Sequence, residues 1–205
     1  MSLFLEGLAF GVLPVFFVGP VLFTLLAASL EEGFAAGARV AVGIALSDVV
    51  AIALCAAGAG PLLTQPWGEW LLRVAGGLIL AGFGIALLAR AGQPIPMEGG
   101  RRGGGRHLLA GFVVNFVNPF VFAFWIGALS GVGARHGLDP STLAIFFGGT
   151  VTTILITDLG KAWGAAALHR HLHGRALTWA RRVSGALLGG AGLVLLAQAV
   201  TAGLP

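Results

Sequence analysis

Apolar residues in this chain do not alternate with polar ones; they run on. Six continuous apolar stretches stand out, near residues 3–27, 35–59, 70–88, 108–130, 141–164 and 184–201. Each approaches or exceeds the about 20 residues that carry a helix across a bilayer. The alternating pattern of a transmembrane β-barrel is absent. The pattern therefore predicts an all-α integral membrane protein with six transmembrane helices, its first partner being the lipid bilayer.

Composition strengthens that expectation. Of 205 residues, 57% are hydrophobic and 10% charged, against roughly 25% charged in soluble domains. Basic residues exceed acidic ones by 12 to 8, which in a soluble chain would raise nucleic acid as a partner. Here the arginines collect between apolar stretches, so they read as an orientation signal and no nucleic acid is expected. The third connection holds Arg90, Arg101, Arg102 and Arg106, and the fifth holds Arg170, Arg175, Arg181 and Arg182. The second has no Arg or Lys before Arg73, and the fourth has only Arg135. Odd connections are thus expected in the cytoplasm and both termini outside, N-out/C-out. The N-terminus lacks a signal peptide's basic region and cleavage site, so its apolar run is expected to stay as the first span.

The third connection is rich in Gly and Pro, the composition of a flexible linker. It divides the chain into a first three-helix repeat (1–90), a cytoplasmic linker (91–107) and a second three-helix repeat (108–205). Because three is odd, the second set enters the membrane from the opposite side, which is the topology of two inverted repeats. Gly19-Pro20-Val21-Leu22-Phe23 aligns with Asn118-Pro119-Phe120-Val121-Phe122, and Gly43 before Asp48 has a looser counterpart in Gly149 before Asp158.

Few residues inside the spans can carry chemistry. Asp48 lies about 20 Å along a helix from the start of its run. An acid at that depth costs about 2.5–3.5 kcal/mol and by default marks function. Its functional reading is proton coupling; the alternative is a neutral acid bonded to Ser47 or a neighbouring helix. Asp158 is the other intramembrane carboxylate, and either couples protons or pairs with Lys161 one turn later. Pro20 and Pro119 interrupt their spans, and the carbonyls they release must be met by protein or water. Paired breaks of this kind point to a transporter's binding site, so Gly19, Pro20, Asn118 and Pro119 are candidate substrate-binding residues. Asn115 shares a face with Asn118 and joins them, with inter-helix hydrogen bonding as the other reading.

The remaining polar residues read as structural. Glu6 reads as a solvated span end, Glu31 and Glu32 as hydrated loop acids, and Trp67, Trp70, Trp163 and Trp179 as headgroup anchors. His169, His171 and His173 could share a metal, but the interleaved Arg170 and Arg175 favour a basic loop, so no metal site is assigned. The single Cys55 forms no internal disulfide. There is no ATP-binding glycine loop and no nucleophile–base pair, hence no enzyme and no cofactor is expected.

The run Ser29-Leu30-Glu31-Glu32-Gly33-Phe34-Ala35-Ala36-Gly37, with Gly19-Pro20, Gly43-Ile44-Ala45-Leu46-Ser47-Asp48 and Asn118-Pro119, resembles the LysE-type amino-acid exporter family. The resemblance implies a bacterial inner-membrane (cytoplasmic-membrane) exporter, multi-pass, driven by the proton gradient and compatible with a homo-oligomer. It makes Asp48 the family's span-two acid and Pro20 and Pro119 its paired breaks. One departure is that Val21, Leu22 and Phe23 stand where family members carry polar or amide-bearing residues. The function expected is secondary export of an amino acid or similar small metabolite by proton antiport with alternating access. The alternatives are a divalent-metal-ion exporter of the same superfamily and a non-transporting membrane scaffold.

Overall fold

A computed structural model describes residues 2–17, 19–59, 65–89, 91, 105–169 and 175–202. Most of the expected linker, with Arg90, Arg101 and Arg102, lies outside them, as do Arg170, His171 and His173. Within the described residues the chain is helical, without strands. Helix α1 (Leu3–Phe10) is followed by a 3-10 turn (Leu13–Phe16), then α2 (Pro20–Glu32) and α3 (Phe34–Leu54), which widens into a π turn at Cys55–Ala59. Then come α4 (Pro66–Ala89), α5 (Gly105–Phe116), α6 (Pro119–His136), α7 (Pro140–His169) and α8 (Arg175–Ala202).

Four helices, α3, α4, α7 and α8, are individually long and apolar enough to cross a membrane. The other two apolar runs are each a bent pair. Between α1 and α2 the axis turns by 82°, and between α5 and α6 by 66°. Counting each bent pair as one span gives six. The breaks follow from local chemistry. A residue preceding proline is pushed towards extended backbone, and Gly19 and Asn118 both take that conformation. Pro20 and Pro119 then start new helices at the first position, where the missing N–H has no partner to lose.

Glycine sets how closely the helices approach. Gly43 of α3 faces the backbone of Leu108 and Phe112 on α5, and Gly111 of α5 faces Val40. The crossing of α1 and α7 is built the same way: Gly149 faces the backbone of Phe4 and Leu8, and Gly7 faces Phe146. Helices α4 and α8 pack through Gly77, Gly84, Gly185 and Gly192. Small residues at such crossings are what lets helix backbones meet in lipid. Gly33, at φ 83°, ends α2 and opens α3 directly, so the two fold back as an antiparallel hairpin with Ser29 against Gly37.

Large apolar side chains cover the outside, among them Leu78 (61% exposed), Ile85 (65%), Ile156 (62%) and Val200 (80%). An outer surface this apolar fits a lipid solvent. Trp67, Trp163 and Trp179 are likewise exposed.

Candidate functional site: a cavity between two broken helices

The two breaks meet on one cavity of about 700 Å³, within the roughly 300–1,000 Å³ of small-molecule sites. Gly19, Pro20, Val21 and Leu22 line it from the start of α2, and Asn118, Phe120 and Val121 from the start of α6. Asp48 enters from α3, Asn115 from α5, and Thr157, Asp158 and Lys161 from α7. Phe17, Phe124 and Trp125 supply aromatic walls.

Asp48 is 4% exposed. Its Oδ1 accepts two hydrogen bonds, from Asn115 Nδ2 at 2.7 Å and from Trp125 Nε1 at 3.2 Å. The Asn115 amide also reaches Ser47 Oγ at 3.2 Å and the Ile44 carbonyl at 3.4 Å. Oδ2 of Asp48 has no hydrogen-bond partner among the described residues. One oxygen is thus held by two neighbouring helices while the other is left to the cavity.

The Asp158 carboxylate sits 2.9 Å from Lys161 Nζ, one turn apart on α7. Both line the cavity, so the pair is part of its wall rather than a surface contact. The two helix starts differ. Asn118 caps α6 by accepting from the Phe120 N–H at 3.1 Å. Gly19 has no side chain to cap α2, and the first N–H there to close a helical bond is that of Phe23, to Gly19.

Of the seven residues expected from sequence to form the site, Pro20, Asp48, Asn115, Pro119 and Asp158 sit on α2, α3, α5, α6 and α7, and Gly19 and Asn118 immediately precede α2 and α6. Six of them line the cavity, and Pro119 begins the helix whose start borders it. The two asparagines do different work: Asn115 holds Asp48, and Asn118 caps a helix. Trp125 was missed. It is the one tryptophan in mid-span, 1% exposed, and a buried indole N–H needs an acceptor; that rule was a usable signal. Phe124 packs edge-on against Trp125 with ring centroids 4.8 Å apart, a contact that no sequence pattern announces.

At either end of the cavity-bearing helices an imidazole meets a carboxylate. His107 Nε2, at the start of α5, lies 3.3 Å from Glu32 Oε1 at the end of α2. His136 Nε2, at the end of α6, lies 3.0 Å from Glu6 Oε2 in α1. Glu6 and Glu32, read from sequence as solvated or loop acids, are thus paired, and Glu32 is helical. Among the described residues no group of three His, Cys, Asp or Glu side chains is placed to hold a metal.

The model of the LysE type translocator matches residues 12–199 of the chain. The chain belongs to that family. This LysE-family chain is also 24% identical over 192 residues to the "Putative amino acid efflux protein YcgF" of Bacillus subtilis (strain 168), covering 92% of each protein. No solved structure matches it. Membership places a multi-pass translocator in a membrane, handling a small molecule, and the family is one of transporters rather than enzymes.

Proposed function

We propose that this protein is a secondary active transporter that exports an amino acid or similar small metabolite across the bacterial inner membrane in exchange for protons. The observation that carries the reading is the free oxygen of Asp48, a buried acid whose second oxygen opens on a cavity between two broken helices. A carboxylate in a low-dielectric site is costly unless something binds it. A proton taken from one side and released to the other makes use of that cost. Asp158 is either a second coupling group or, through Lys161, a fixed charge pair of the wall; Gly19, Pro20, Asn115, Asn118 and Pro119 complete the central site.

The frame suits alternating access. We take residues 1–90 and 108–205 as two inverted three-helix repeats, N-out/C-out, joined by a cytoplasmic linker over 91–107. Supporting this, the α3–α5 and α1–α7 crossings share one glycine geometry, with Gly43 and Gly149 in equivalent places. Each repeat also contributes one broken helix, and an imidazole–carboxylate pair joins the two broken helices at each end. Glu32–His107 then closes the cytoplasmic end and Glu6–His136 the outer end. Rocking the repeats loosens one pair at a time and opens the cavity to one side.

The test is proton flux into vesicles that contain the purified protein and a gradient of mixed amino acids, read with a pH-sensitive dye. Asp48→Asn keeps the size of the side chain and removes the titrating group, so flux coupled to amino acids should fall to background. Unchanged coupled flux in a folded Asp48→Asn variant removes Asp48 from the mechanism.

A further inference from the structure

The cavity is polar in only a few places, and these are arranged by sign. On one side stands the free Oδ2 of Asp48. On another stands the start of α2, where, among the described residues, the N–H groups of Val21 and Leu22 have neither an intrahelical partner nor a capping side chain. Unsatisfied N–H groups at a helix start, with the positive end of the helix dipole behind them, form a site for an anion. The second such start, that of α6, is already closed by Asn118.

The two features lie at one depth. Helices α2 and α3 leave Gly33 antiparallel, Val21 being twelve residues before it and Asp48 fifteen after. At 1.5 Å per residue these are about 18 and 22 Å from the hinge, less than one turn apart. Leu25 and Ile44, packed in one cluster with Val21 against it, hold the hairpin closed at that level.

From this we infer that the site takes a zwitterionic amino acid with an uncharged, apolar side chain. Its ammonium group lies on Asp48 Oδ2 and its carboxylate on the uncapped start of α2. The inference rests on the transport reading above and names its substrate class. The side chain falls against Phe17, Phe120 and Phe124. Among the described residues that line the cavity, no ionisable group is free to receive a charged side chain. The titratable groups that face the cavity are Asp48 from α3 and Asp158 and Lys161 from α7, and the last two neutralise each other. α5 presents Asn115 and α6 presents Trp125 to Asp48, and the start of α2 presents none that titrates.

A consequence is that substrate ammonium and proton compete for one oxygen. Exchange then needs no second coupling site, because an occupied Asp48 excludes the other ion.

The experiment uses the intact chain in proteoliposomes and varies only the ligand. L-leucine, L-phenylalanine, L-lysine and L-glutamate are compared, together with phenethylamine, which lacks the carboxylate, and 3-phenylpropanoate, which lacks the ammonium. Leucine and phenylalanine should move at least about tenfold faster than lysine or glutamate, and neither phenylalanine fragment should move or inhibit at phenylalanine's KM. Lowering pH on the loading side should raise the apparent KM for phenylalanine and leave the maximal rate unchanged. Lysine or glutamate moving as well as leucine overturns the substrate class while sparing the transport reading. Phenethylamine moving as well as phenylalanine overturns the role of α2. A fall in maximal rate at constant KM overturns the competition. If no amino acid moves or binds, the transport reading itself fails and the inference falls with it.

Discussion

Replacing Gly43 by alanine loads the crossing of α3 and α5 at the point where it supports Asp48. A β-carbon at Gly43 would collide with the Leu108 carbonyl oxygen and stand 2.9 Å from the Phe112 nitrogen. Both are helical backbone and cannot rotate aside. Restoring an ordinary separation of about 3.5 Å to Phe112 alone drives the helices roughly 0.6 Å apart. Asn115 lies one turn further along α5 and moves with it. Its bonds of 3.2 Å to Ser47 and 3.4 Å to Ile44 then pass the hydrogen-bonding limit, and the 2.7 Å bond to Asp48 lengthens. Overpacking costs about 1–3 kcal/mol, and each hydrogen bond lost within a membrane bundle about 0.6 kcal/mol. The total is about 2–4 kcal/mol of destabilisation. Adjacent glycines of α7 provide the control. At Gly149 a β-carbon meets the Phe4 carbonyl oxygen at 2.5 Å, whereas at Gly148 nothing lies within 4 Å. Alanine at Gly148 should therefore gain up to about 1 kcal/mol from helix propensity. Unfolding of the purified protein in mixed micelles by SDS titration should rank Gly148→Ala at or above wild type and Gly149→Ala and Gly43→Ala well below. Gly43→Ala as stable as Gly148→Ala would refute the argument.

Two further outcomes follow from the same contacts. Trp125→Phe deletes the 3.2 Å bond to Asp48 but keeps a ring against Phe124 and Phe147; it should cost about 1 kcal/mol in the same titration, against about 3–5 kcal/mol for Trp125→Ala, and a Trp125→Phe variant as stable as wild type would mean the indole N–H contributes nothing. Asp139 precedes α7 and accepts from the Thr142 N–H at 3.0 Å and the Ser141 hydroxyl at 2.8 Å, and hydrogen bonds from Thr142 and then Ser141 hold its carboxyl below the ordinary range. A depressed folded-state value means the cap stabilises α7 above the unfolded aspartate value near 4 and fades as pH falls through the folded one; Asp139→Ala should lower Tm at pH 7, with the gap to wild type closing below about pH 4, and a gap independent of pH would contradict it.

What could be read from the chain divides along the range of the forces involved. Apolar run length and proline position are local, so the six runs and both breaks were legible. Asp48 was legible because a lone acid in an apolar run violates solvation wherever the helix faces. The bend angles were not: the run through Pro20 reads as one crossing, yet the axis turns by 82°. Contacts at long range were hidden too. Trp125 reaches Asp48 across 77 positions, and no periodicity in either helix states that pairing. The alignment of Asp158 with Asp48 was legible only in part. Measured from the matching glycines Gly43 and Gly149, Asp48 stands five residues on and Asp158 nine, so the two acids are a turn out of register.

That mismatch bears on how the site is made. Backbone approach is duplicated: the same glycine contacts support α3–α5 and α1–α7, and glycines at φ 83° and 85° end both α2 and α6. The polar chemistry is not duplicated. Asp48 has Ile154 at the matching place in α7, the start of α2 is open where that of α6 is capped, and Lys161 has Cys55 at the matching place in the π turn after α3. A frame that rocks between two faces gains from equal halves, since neither outward nor inward state is then favoured by packing alone. A ligand with a positive and a negative end needs the reverse, a site whose walls differ in sign. The glycines can be shared between halves because they act through the backbone. The charges cannot, because two copies of Asp48 facing one cavity would repel each other and leave no place for a carboxylate.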